Sequence, residues 1–155
     1  MKRYERIGLK LVALKMFVPT EKMIEEHYLL DTEWKKNVGE KAIASYVKKG
    51  EVPPSSDPIE VGNLVVGRLK KYMTSGPVIA MVWEGAHSVE LVRKITGGTE
   101  PRSADIGTIR GDFVVDSYQM ADSADRAIRN LIHASGSVRE AEKEIPHWFS
   151  EQEII

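Results

Sequence analysis

Cysteine is absent from this 155-residue chain, which excludes disulfides and thiolate metal sites and leaves no chemistry that depends on a thiol. A charge excess is missing too, since 22 basic residues stand against 23 acidic ones for a formal charge of -1. No overall basic field draws the chain toward nucleic acid or an anionic membrane surface, so any anion it binds must be held by a local cluster. Long apolar runs are lacking, and the longest, Val78 to Trp83, falls far short of the roughly 20 residues needed to cross a bilayer. The opening Met-Lys-Arg-Tyr-Glu-Arg-Ile-Gly is charged from the start and has no secretory apolar stretch. These absences describe a soluble, cytoplasmic protein without membrane or nucleic-acid partners. The length suits one domain that buries its own core without staples.

What is present reads as a mixture of strands and helices. Leu9 to Val18 is rich in Leu, Val and Met and stops at Pro19, which suits a buried strand. Thr20 caps a helix over Glu21 to Leu30, and Glu33 to Lys49 carries apolar residues at helical spacing before Gly50. Glu51 to Asp57 is an exposed connection. Asp57, Pro58 and Glu60 then open a third helix that runs to about Met73. Val78 to Trp83 is a buried strand, and Ser88 to Thr96 a helix stopped by Gly97 and Gly98. Gly98 to Asp112 has no apolar period, and loops this long inside a compact domain are usually functional. Phe113 to Val115 is expected as a short strand, Asp122 to Ile128 as a short polar helix, and Leu131 to His133 as a strand. Ser137 and Glu140 form a capping box for a last helix reaching about Ile145. Mixed without strict alternation, these elements imply an α+β layer of helices on a mostly antiparallel sheet.

Three constellations could carry chemistry. His133 ends an expected strand, with Ala-Ser-Gly behind it and a capped helix next, so its ring stands at a cleft edge beside backbone N–H groups that can hold an anion. Imidazole suits covalent phosphoryl transfer because it is partly unprotonated near neutral pH and releases the group again. On local pattern alone such a histidine is more often structural. Arg93, Thr99 and Arg110 could clamp phosphate oxygens, or be ordinary solvated surface. Glu144, on the capped helix, could accept the imidazole's second N–H and fix its tautomer. Tyr28 and Tyr72 read equally as wall or core. His27, His87 and His147 show no ligand spacing, so no protein-bound metal is expected.

Taken together, the segments resemble the nucleoside diphosphate kinases from about Tyr4 to Phe149. The carrying stretches are Tyr72-Met-Thr-Ser-Gly-Pro-Val-Ile-Ala-Met-Val-Trp-Glu-Gly85, Gly107-Thr-Ile-Arg-Gly-Asp-Phe113 and Asn130-Leu-Ile-His-Ala-Ser-Gly-Ser137, the last followed by Ala-Glu-Lys-Glu-Ile145. Three such blocks in family order are highly specific. The resemblance implies transfer of the γ-phosphate of a nucleoside triphosphate, usually ATP, to a nucleoside diphosphate in a ping-pong cycle, with Mg²⁺ on the phosphates. It makes His133 the phosphorylated residue and Glu144 its orienting partner, with Tyr28 near the ring and Ser135 steadying it. Arg93, Thr99 and Arg110 would hold the distal phosphates, Asn130 would meet the ribose region, and the base wall falls on aliphatic Val65 and Leu69. The implied fold is the ferredoxin-like βαββαβ sandwich with an antiparallel sheet. The implied assembly is a homo-oligomer, tetramer or hexamer, contacted through the loop from Gly98 to Gly111.

The chain departs from the family pattern at three places. It begins at what would be the end of the first helix, so the first strand and its phosphate-binding lysine are missing from the sequence. An insert occupies about residues 31–64 of an otherwise single domain. Ala134 and Gly136 replace the usual Gly and Asp beside the histidine, and Asp116 to Arg129 is longer than usual. The first departure keeps a second reading open, that of a truncated homologue acting as a nucleotide-binding or oligomer-interaction module.

Overall fold

The computed structural model describes residues 1–29 and 32–155. In chain order they form α1 (Lys2–Glu5), β1 (Lys10–Phe17), α2 (Glu21–Leu29), α3 (Thr32–Lys48), α4 (Pro58–Met73), β2 (Val78–Glu84), α5 (Ser88–Thr96), α6 (Ile109–Phe113), α7 (Tyr118–Ser123) and α8 (Val138–Trp148), with 3-10 turns at Pro101–Ser103 and Glu151–Glu153. The class is α+β, as the mixture of elements implies. The chain divides into two compact units, Met1–Phe17 with Val78–Ile155, and Val18–Pro77. Leu30, where the second expected element was to end, lies outside the described residues.

In the first unit β1 and β2 pair antiparallel, with Leu14 opposite Met81 and Met16 opposite Ile79. The register slips between Leu11 and Ala13, as a bulge does, and there the Val12 carbonyl accepts the Ile155 N–H at 3.0 Å. Val12, Ala13, Val82 and Phe149 form the core, with Ile145 and Trp148 packed against it. Burying an aromatic such as Phe149 contributes about 1.5–3 kcal/mol. Because Ile145 and Trp148 belong to α8, the same packing fixes the helix that carries Glu144. At the other end Tyr4 is buried, bonds the Thr96 hydroxyl at 2.8 Å and sets its ring 5.2 Å from that of Trp83, so α1 is tied to the end of α5.

The second unit is a set of three helices. Asp57 caps α4 by accepting the Ile59 N–H at 2.8 Å, with Pro58 in the first turn, as the sequence signature implies. Helices α3 and α4 cross at glycines. A methyl group on Gly39 would meet the Pro58 carbonyl oxygen at 1.8 Å, and one on Gly62 the Lys35 carbonyl oxygen at 2.4 Å, so no other residue type permits that approach. The segment expected as an insert, about residues 31–64, falls on this unit, where its described residues form α3, the connection after it and the first turns of α4.

Three local expectations are corrected. Among the described residues the sheet has two strands, and neither Phe113 to Val115 nor Leu131 to His133 is a strand. Phe113 belongs to α6 because Thr108 caps that helix, its hydroxyl accepting the Gly111 N–H at 3.1 Å. Leu131 has φ +68°, outside the extended region, and the Ile132 N–H closes a three-residue turn on the Asn130 carbonyl at 2.8 Å. The polar helix lies at Tyr118–Ser123 rather than Asp122 to Ile128, because the buried Ser117 caps it by accepting the Met120 N–H at 3.2 Å.

Candidate active site

His133 sits in an irregular segment between the turn at Leu131 and the start of α8. Its ring is about half exposed, and Nε2 lies 3.1 Å from Oε1 of Glu144, whose side chain is 15% exposed. The other Glu144 oxygen accepts the Ser135 hydroxyl. A carboxylate on Nε2 favours the tautomer that carries its proton there, which assigns the ring's lone pair to Nδ1. Ser137 caps α8 by accepting the Glu140 N–H at 3.1 Å, and the Glu140 carboxylate turns back to the Gly136 N–H at 2.6 Å. The expected capping box therefore forms with its carboxylate one residue earlier than the pure pattern. It orients the first turn of the helix from which Glu144 later projects.

Arg110 is buried, and its guanidinium spans three backbone carbonyls. Nη1 donates to Gly97 at 3.0 Å, Nε to Asn130 at 3.3 Å, and Nη2 to Ile132. Burial, reinforced by the positive charge of Arg93, lowers its pKa from the usual guanidinium value. The fork fills the place of a β ladder, satisfying carbonyls on both sides of the Leu131 turn. Arg93 is exposed and donates to the Ala134 carbonyl at a long 3.5 Å, beside His133. Asn130 donates to the Thr99 carbonyl at 3.2 Å, so the backbone of Thr99, rather than its exposed hydroxyl, makes that contact.

An open cleft of about 720 Å³ lies along α5 and the start of α8, lined by Arg93, Lys94, Thr108 and Ser137 together with Glu90 and Asp105. Two cations beside a helix N-terminus suit an anionic ligand, and the two carboxylates set which part of the cleft it can use. His133, Glu144, Ser135, Arg93, Arg110, Asn130 and Thr99 thus belong to the first unit and are linked by the contacts above. Tyr28 and Leu69 belong to the second. Tyr28 stacks on Trp34 with ring centroids 4.7 Å apart, and Leu69 is half-buried on α4.

Sequence reasoning missed Asp116, Arg126 and the carbonyl of Gly97. Asp116 is 3% exposed and pairs with Arg126 at 2.7 Å. Asp116 and Arg126 stand among other acids and bases, Asp122, Asp125 and Arg129, at a separation that marks no pair in the sequence.

Comparison with known proteins decides the family. The sequence model of the family described as nucleoside diphosphate kinase matches residues 61–154. A nucleoside diphosphate kinase of Pyrobaculum aerophilum is 45% identical over 157 residues, covering 99% of this chain and 86% of that protein. The chain belongs to the nucleoside diphosphate kinase family. Members of this family are phosphotransferases that act on nucleotides. The crystal structure of the P. aerophilum kinase is similar at TM-score 0.94 and 44% identity, covering 99% of this chain and 87% of that one. A nucleoside diphosphate kinase of Borrelia burgdorferi, described as a transition state mimic with bound vanadate and ADP, is similar at TM-score 0.76 and 36% identity, with coverage of 99% and 77%. These likenesses place the two-stranded sheet and its helices in the ferredoxin-like fold of the nucleoside diphosphate kinases. No described helix is long and apolar enough to cross a membrane.

Proposed function

We propose that this nucleoside diphosphate kinase homologue is catalytically active and moves the γ-phosphate of a nucleoside triphosphate, usually ATP, to a nucleoside diphosphate through a phosphohistidine at His133. The contact of His133 Nε2 with Glu144 Oε1 at 3.1 Å, on a half-exposed ring, carries the reading. In the first half-reaction the Nδ1 lone pair attacks the γ-phosphorus. The P–N bond forms as the bridging P–O bond breaks, and the electron pair leaves with the nucleoside diphosphate. In the second, a terminal β-phosphate oxygen of another diphosphate attacks the same phosphorus, and the P–N bond returns its pair to Nδ1. Glu144 holds the proton on Nε2 throughout and stabilises positive charge on the ring as the bond forms.

The remaining roles follow chemistry and family position. Arg93 and Thr99 take the distal phosphates, with Arg110 adding positive charge from behind the His133 segment. Mg²⁺ enters on the phosphates as part of the substrate. Asn130 meets the ribose region, and Ser135 steadies the histidine through its bond to Glu144. The working form is a homo-oligomer, tetramer or hexamer, assembled in part through the loop from Gly98 to Gly111.

One observation favours a second reading, a nucleotide-binding or oligomer-forming homologue with little transfer. The contacts of the Arg110 guanidinium run to backbone carbonyls, which leaves Arg93 as the principal phosphate cation. Incubation with γ-labelled ATP and Mg²⁺ separates the two. Active transfer leaves acid-labile, alkali-stable label on the wild type and none on His133→Ala, whereas equal or absent labelling of both removes His133 as the carrier.

A further inference from the structure

The segment that delivers His133 has no strand ladder to hold it, so other groups fix its backbone. One carboxylate grips its approach. Asp116 is 3% exposed, and its oxygens take four donors. On Oδ2 these are Arg126 Nη1 and the Arg129 N–H, both at 2.7 Å. On Oδ1 they are Arg126 Nη2 at 3.0 Å and the Ser117 N–H at 2.9 Å. The Asp116 carbonyl also accepts the Arg102 N–H at 3.1 Å, and next to it the Glu100 carboxylate accepts the Tyr118 N–H at 3.0 Å. One residue therefore joins the turn after Thr99, the start of α7 and the residue that abuts Asn130.

A clamp that served only to close the excursion through α7 would be complete with Ser117 and Arg126, which lie on either side of that helix. The Arg129 N–H extends the grip past the excursion to the start of the catalytic segment. From Arg129 the chain runs directly into Asn130, whose amide reaches Thr99 and whose carbonyl meets Arg110. A bidentate, charge-assisted pair shielded from water is stiff enough to set that register.

We infer that Asp116 is a positioning residue for phosphoryl transfer at His133, fixing Arg129 and thereby the place at which the imidazole meets Glu144. The inference rests on the phosphohistidine reading above. Asp116 touches no reacting atom, so it acts through geometry, and small displacements of a nucleophile cost rate far more than they cost binding.

The test uses the full-length chain with Asp116→Asn, which keeps shape and loses charge, and Arg126→Gln as a second route should the first variant fail to fold. Three quantities are read at a temperature well below either melt: the single-turnover labelling rate with γ-labelled ATP, the nucleotide KM, and the ring resonances of His133 by NMR. A positioning role predicts labelling slower by on the order of tenfold or more, a KM within about twofold of wild type, and displaced His133 ring signals. Wild-type labelling rates and an unmoved ring in the folded variants would overturn it. If the wild type takes no label at all, the phosphohistidine reading fails separately, and the His133 resonances still decide whether Asp116 positions the ring.

Discussion

Glu144 and His133 meet through a carboxylate oxygen and a ring nitrogen 3.1 Å apart, although one projects from a capped helix and the other from a segment with no regular structure. Helix α8 is held on the sheet by Ile145 and Trp148, and the His133 segment is held by the fork of Arg110. The geometry of this pair is thus an intersection of two independently anchored pieces of backbone.

Replacing Glu144 by Gln removes the negative charge beside the His133 ring and turns one of the two carboxylate acceptors, on which His133 and Ser135 converge, into an amide donor. The labelling rate should fall by on the order of 10²-fold or more, toward the roughly 10⁴-fold loss that follows when the acid orienting a catalytic histidine is neutralised. Quench-flow measurement of the first half-reaction checks this, and an unchanged rate would place Glu144 outside the mechanism.

Arg110→Lys keeps a cation but cannot span three carbonyls. With buried backbone acceptors left unpaired, the variant should lose about 2–4 kcal/mol of stability to urea and broaden the His133 resonances. A loss below about 0.5 kcal/mol would show that the fork is dispensable.

Gly97→Ala should be strongly destabilising for two reasons. Its φ is +90°, and the new methyl carbon would approach the Thr108 hydroxyl at 2.4 Å, the group that caps α6. A Tm drop of several degrees, with increased proteolysis near residues 105–113, is the expected result.

Acid unfolding should report on Asp116. Arg126 and the backbone donors hold its carboxyl down from the usual 3.8 to about 2. Its pKa is depressed by folding, so its contribution is complete above about pH 4 and is lost as pH falls toward 2, amounting to about 2 kcal/mol. Asp112, lowered chiefly by the Gly107 N–H, and Glu153, lowered to about 2 chiefly by Lys15, slope in the same direction but are more exposed. Comparison of Asp116→Asn with wild type therefore isolates the Asp116 part. Superimposable acid-unfolding curves would contradict it.

Elements with a strong local signal were legible in the sequence. Helix α4 announced itself through Asp57 and Pro58, α5 through its glycine stop, and β2 through its run of branched apolar residues. His133 and Glu144 were legible only once family blocks were joined, because a single histidine and a helical Glu have no distinctive spacing. The strand assigned to Leu131 to His133 failed for a tertiary reason. Apolar Leu131 and Ile132 satisfy strand propensity, yet the Ile132 carbonyl is claimed by the Arg110 guanidinium 22 residues away and Leu131 turns into the left-handed region. Asp116 was invisible because a buried ion pair declares itself only when the chain folds.

The central claim is that His133 carries the phosphate on Nδ1 while Nε2 faces Glu144. Phosphorus NMR of the protein after reaction with ATP and Mg²⁺, with the adduct compared against the two phosphohistidine isomers, tests it most directly. The account predicts a single phosphoramidate on Nδ1 of His133 that is discharged by added nucleoside diphosphate. An adduct on Nε2, or on any residue other than His133, would contradict it.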